Sequence, residues 1–173
     1  MTAPLHEVWL RGPLPDVPPL LQPVAHSLLQ CREEVDGKLS TLDGARLVAR
    51  PGGAASVAFH LVHAMGSLDR LLTYARGEQL SDAQLVALRA ESGVEAEPQD
   101  AAALARRFGA AVERAIVQVR GTSESTLVDR REVGRGRLPS TAIGLLFHAA
   151  EHTQRHVGQA VTTARIVRVM VTG

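Results

Sequence analysis

Apolar residues recur at three- and four-residue spacing in four long stretches of the chain, which is the pattern of amphipathic helices. The first stretch carries Leu21, Val24, Leu28, Cys31 and Val35. It should start between Pro19 and Pro23, because proline fits only a helix's first turn, and Gly37 should close it. After Pro51, Gly52 and Gly53, a second helix is predicted from about Ala54 to Arg76, with Val57, Leu61, Ala64, Leu68 and Leu71 on one face and Gly77 as its cap. Ser81 and Gln84 then have capping-box spacing for a short helix carrying Leu85 and Leu88 and ending near Ser92 and Gly93. A third long helix begins between Pro98 and Asp100, buries Leu104, Phe108, Val112, Ala115 and Val119, and stops at Gly121. The fourth, capped by Ser140 after Pro139, runs through Leu145, Ala149, His152, His156 and Ala160.

No stretch sustains the period-two alternation of a half-buried strand. Only the end, Ile166 to Val171, is β-branched and partly alternating; it fits a short strand or a helix extension and stays unassigned. The pattern therefore predicts an all-α fold, a four-helix bundle with a short additional helix between helices 2 and 3. We expect a single domain over residues 1–173, with a bundle core of about 18–166 and an N-terminal extension of 1–17.

A chain of 173 residues, 45% of them hydrophobic, buries enough surface to fold without a disulfide or a structural metal, so any bound metal should serve function. The net charge of +1 gives no electrostatic reason to expect a nucleic acid. No apolar run reaches the length of a membrane span, and the start lacks the basic-then-apolar pattern of an export signal. The single cysteine, Cys31, excludes an intramolecular disulfide and a cysteine-rich metal site, which makes the reducing cytoplasm the expected compartment. Its place on the apolar stripe marks it as a buried structural thiol.

The candidate chemistry lies in the histidines. Five of the seven fall in two windows, His60 and His63 in the second helix and His148, His152 and His156 in the fourth. Four residues separate neighbours by a rise of about 6 Å on one face, so His152 can share an ion with His148 or with His156. All three cannot, because His148 and His156 lie about 12 Å apart along the axis while metal–imidazole bonds are about 2 Å. A third ligand has to cross from a neighbouring helix about 8 to 10 Å away, and the second helix offers His60 or His63. Three neutral imidazoles suit zinc, nickel, copper or iron and leave a coordination position open. The run from His148 through Glu151 to His152 is not the HExxH protease motif, whose glutamate directly follows the first histidine. Glu151 is either an orienting partner of a ligand or an exposed helix carboxylate.

Between Val128 and Leu138 the chain carries Arg130, Arg131, Arg135 and Arg137, interrupted by Asp129 and Glu132. This loop could bind carboxylate or phosphate groups, or form local ion pairs in solvent. No aromatic residues interleave with the arginines, which leaves single-strand stacking unsupported.

The segment from Leu146 to Gln159, with His148, His152 and His156 at four-residue spacing and then Gly158-Gln159, resembles the fourth-helix motif of the bacterial DinB/YfiT-like superfamily. Ser56 to His63 resembles that family's second-helix motif, in which a histidine follows the serine by seven residues. The likeness covers roughly residues 20 to 165. It implies a four-helix bundle with a three-histidine site for nickel or zinc, often in a homodimer, and by position it makes His63, His152 and His156 the ligands. Helical phase argues otherwise, since His60 lies nearer the core-facing direction than His63. Family spacing is followed because Phe59, Val62 and Met65 make this helix apolar on more than one side; His60 stays the reserve ligand and His148 a neighbour. Arg155 and Val157 depart from the usual family residues and are expected near the mouth of the site, while Gly158 is expected at a close helix approach.

Some relatives of this family are transferases or isomerases that use bacillithiol, mycothiol or glutathione. The resemblance therefore implies a metal-dependent enzyme that activates a low-molecular-weight thiol. The alternatives are a metal-dependent hydrolase, a noncatalytic metal-binding stress-response bundle, and a structural bundle with packed histidines. No nucleic-acid or membrane partner is expected.

Overall fold

Each of the four amphipathic stretches forms a helix, and each begins where the preceding chain can take up free backbone N–H groups or tolerate their loss. A computed structural model describes residues 6–96 and 99–170. Helix α1 (Gln22–Lys38) is entered through a proline-started 3-10 turn, Pro19–Leu21. A short α2 (Gly44–Val48) follows, capped by Asp43. Helix α3 (Val57–Ala75) is capped by Ser56, whose hydroxyl accepts from the Phe59 N–H, and Gly77 leaves it with φ 83°, a conformation that favours glycine. Helix α4 (Asp82–Ala90) has the capping box of Ser81 and Gln84. Helix α5 (Ala101–Gly121) is capped by Asp100, and α6 (Ala142–Val169) by Thr141.

Several details differ from the sequence reading. Gly37 lies inside α1 and does not close it. Thr141, not Ser140, caps α6, because Ser140 belongs to a strand. That strand is β2 (Leu138–Thr141), paired antiparallel with β1 (Arg130–Val133) in the register Arg130 with Thr141 and Val133 with Leu138. Four-residue strands this short and polar, with five of their eight residues half-buried, carry no alternation to read. The ambiguous tail continues α6 to Val169; residues 171–173, Pro98 and residues 1–5 of the expected N-terminal extension lie outside the described residues.

Helix α1 packs against α5 and α6, and α3 packs against the same two, closing a ring of four long helices. The most extensive interface is between α3 and α6, the two helices that carry the clustered histidines. The predicted stripes fill the middle: Leu28, Leu61, Phe108 and Val112 are each at most 1% exposed, and only Leu71 of the α3 stripe is half-buried. Helix α4 buries none of its residues. Val8 and Val17 of the expected extension are buried, and Gln30 on α1 accepts from the Val8 N–H. Among the described residues, no helix is long and apolar enough to cross a membrane.

Cys31 is 1% exposed, and burial, with the Glu34 carboxylate as a smaller cause, pushes its thiol pKa up to about 12. Native protein at pH 8 is therefore expected to leave Ellman's reagent unreacted, with one thiol per chain titrating after unfolding in guanidinium. Rapid reaction of the folded protein would contradict the buried assignment.

Candidate metal centre

Two helices supply the histidines. On α3, the Ser56 cap fixes the first turn, so that His60 and His63 project toward α6 one turn into the helix. On α6, the four-residue spacing stacks His152 and His156 on the face turned to α3. Nitrogens of His63, His152 and His156 all lie within 4.8 Å of one another. Nε2 of His63 and Nε2 of His152 are 3.1 Å apart. Two imidazole nitrogens bound to one tetrahedral ion at about 2.0–2.1 Å are separated by about 3.3 Å, so this pair already has the spacing of shared ligands.

Both histidines of α3 lie against the histidines of α6, His63 beside His152 and His60 beside His156. His60 is the more deeply buried, at 7% exposure, as the phase argument requires. Its Nδ1 lies 3.0 Å from Nδ1 of His156, behind the cluster and not within it. This contact engages Nδ1 of His156, so Nε2 is the other nitrogen that the ring can offer an ion. Burial is the main cause that lowers the pKa of His60, His152 and His156. For His156 the value falls to about 4, with further contributions from His63, His152, His60 and Arg155. Neutral imidazoles are the protonation state that binds a transition metal.

A carboxylate that sequence reasoning missed stands behind His63. Glu91, the first residue of the 3-10 segment Glu91–Ala96 that follows α4, is 6% exposed. Its Oε2 lies 2.7 Å from Nδ1 of His63 and its Oε1 accepts from Arg70 at 2.5 Å. Since an ionised carboxylate only accepts, Nδ1 of His63 donates, and in the neutral ring this leaves Nε2, which faces His152, as the lone-pair nitrogen. Phe59 stacks on the His63 ring at 5.6 Å with an interplanar angle of 5°. By contrast, Nδ1 of His152 is buried and has no hydrogen-bond partner among the described residues.

The remaining candidates fall elsewhere. His148 is half exposed, and its Nδ1 is 3.2 Å from Glu151, which also pairs with Arg155. Glu151 thus forms a surface network on α6 and orients none of the three clustered histidines. Arg130, Arg131, Arg135 and Arg137 lie on and around the β hairpin, whose first strand packs on α3. Arg131 donates to the Ala75 carbonyl at the C-terminal end of α3, and Arg137 and Arg130 pair with Glu132. Gly77, which the Arg131 side chain abuts, is fourteen positions after His63; at 1.5 Å per residue that puts Arg131 about 20 Å along α3 from the histidine cluster.

Near the cluster, Val157 is 1% exposed and belongs to the core, contrary to its expected place at the mouth. Gly158 is exposed, and an added Cβ would meet nothing within 4 Å, so no close helix approach explains it. It lines an open groove of about 700 Å³ together with Ala54, Ala55, His60, Arg155 and Gln159. Gly158→Ala is expected to stabilise the protein by about 0.5–1 kcal/mol through backbone entropy, raising Tm by a few degrees. A lower Tm would reveal a steric constraint.

A comparison with curated proteins gives no match. The model of the DinB superfamily matches residues 27–160, a span that runs from α1 to α6 and includes all three clustered histidines. Family match, helical bundle and histidine cluster agree, and the chain belongs to the DinB superfamily.

Proposed function

We propose that His63, His152 and His156 hold one divalent transition ion, nickel or zinc, and that the protein is a metal-dependent enzyme that activates a low-molecular-weight thiol for transfer to an electrophile. The observation that carries this reading is the convergence of three imidazole nitrogens within 4.8 Å from two different helices. The donor set fits such an ion, since three neutral ligands leave its charge undiminished and at least one position open. When bound, the ion supplies positive charge that favours a thiolate over a thiol at neutral pH.

The chain's own residues prepare the rest. Glu91 and His60 hold the outer nitrogens of His63 and His156, so the ring faces that converge stay convergent. The groove beside His60, whose lining mixes Ala54 and Ile166 with Gln159 and Thr162, suits a small molecule with apolar and polar parts. Transfer is favoured over hydrolysis because the carboxylates around the cluster are already engaged: Glu91 with His63 and Arg70, Glu95 with the Ser56 N–H and Arg50, and Glu151 with His148 and Arg155. The reading includes a homodimer and a cytoplasmic setting, both resting on the family likeness and the lone buried cysteine.

The test is elemental analysis of untagged wild-type protein purified without metal resin, followed by conjugation assays with bacillithiol, mycothiol and glutathione. About one metal per chain and metal-dependent conjugation support the proposal. Protein that is metal-free and also refuses added nickel and zinc overturns it.

A further inference from the structure

The excursion between α3 and α5 buries nothing through α4, yet it returns to α3 and delivers one nearly buried carboxylate. Glu91 sits at the start of that return, bonded on one side to His63 and on the other to Arg70, whose side chain is 12% exposed. The surface of α3 is shaped to receive it. A Cβ on Gly66 would run into Oε1 of Glu91 and come within 2.8 Å of the Arg70 guanidinium. Glycine in mid-helix is unfavourable, and here its absence of a side chain makes the space the carboxylate fills. Glu95, one turn further along the same 3-10 segment, accepts from the Ser56 N–H and lies 3.6 Å from Arg50, anchoring the segment at the start of α3.

We infer that Glu91 is the positioning residue of the centre: seated over Gly66 and held by Arg70, it keeps His63 in the Nδ1–H tautomer with Nε2 presented to His152 and His156. This deepens the three-histidine reading and rests on it for its consequence in metal binding, but the tautomer itself is a property of the metal-free protein. A carboxylate that fixes a histidine's tautomer and ring orientation raises its quality as a ligand, and loss of such a partner weakens metal binding by about 10- to 100-fold. The arrangement also gives the α4 excursion a role that its own surface position does not. Arg70 neutralises the buried carboxylate, which would otherwise be costly to hold away from water.

Two variants separate position from mere folding. Glu91→Ala removes the carboxylate, whereas Gly66→Ala keeps it and displaces it, at a site where the helix itself should gain from alanine. Long-range proton–nitrogen NMR on metal-free protein reads the His63 tautomer, and competition with a chelator reads the affinity for Zn²⁺ and Ni²⁺. Wild type is expected to show Nδ1–H at His63; both variants should lose that preference and bind Zn²⁺ and Ni²⁺ roughly 10- to 100-fold more weakly. An unchanged tautomer and unchanged affinity in folded Gly66→Ala and Glu91→Ala overturn the inference. Wild-type protein that shows the Nδ1–H tautomer but takes up neither metal keeps the Glu91 assignment and sinks the metal reading instead.

Discussion

Alanine at His63, His152 or His156 is expected to reduce affinity for nickel and zinc by roughly 100-fold or more, while His148→Ala leaves it near the wild-type value. The lower bound follows from loss of an orienting partner alone, which costs about 10- to 100-fold; removing a donor atom from a three-donor set must exceed that. The contrast with His148 is the informative part. All three residues of α6 share the same four-residue spacing, but His148 faces solvent and Glu151, whereas His152 and His156 converge on His63. His60→Ala should fall between, because its Nδ1 supports His156 from behind. Competition titrations with a chelator check these values, and circular dichroism checks that the bundle persists. Equal losses at His148, His152 and His156 would contradict the assignment.

Phe108→Ala is expected to cost about 3–5 kcal/mol and lower Tm by about 10 °C or more. Phe108 is the largest of the fully buried side chains, at 0% exposure in the core, on α5, a helix that packs on α1 and α3. Removing the ring forfeits its burial and leaves a cavity that rigid helices fill only in part. The three clustered histidines lie on α3 and α6 and Glu91 on the segment after α4, none of them on α5, so metal affinity per folded molecule should stay within a few fold of wild type. Calorimetry alongside the chelator titration measures both. A change of less than about 1 kcal/mol would mean that the core is not organised around this residue.

The helical pattern was legible because each stripe is a local statement about which side of a helix can leave water. Leu21, Val24, Leu28, Cys31 and Val35 are all buried, as are Leu104, Phe108, Val112, Ala115 and Val119. The hairpin was not legible. Its eight strand residues include Arg130, Arg131, Glu132, Pro139 and Ser140, and it is held by pairing across the turn and by the contact of Arg131 with the end of α3, neither of which leaves a hydrophobic period. The arginine cluster left two readings open in the sequence, anion binding or local ion pairs, and pairs of Arg130 and Arg137 with Glu132 are what the folded hairpin forms.

The centre divides along the same line. Spacing on one helix determined that two of His148, His152 and His156 could share an ion, and that the third donor had to come from elsewhere. Spacing alone could not choose between His60 and His63; the family likeness pointed to His63, and the packing of the two helices sets which nitrogen enters the cluster and which stands behind it. Glu91 had no signal at all, being 28 residues from His63 on a segment with no apolar period. Local periodicity in the sequence thus determined the helices, the core and the chemical type of the centre, since those depend on residue identity and neighbours a turn away. Which histidines converge, which carboxylate holds them and which charges stay outside were decided by tertiary packing, because each depends on where a distant helix places its side chain.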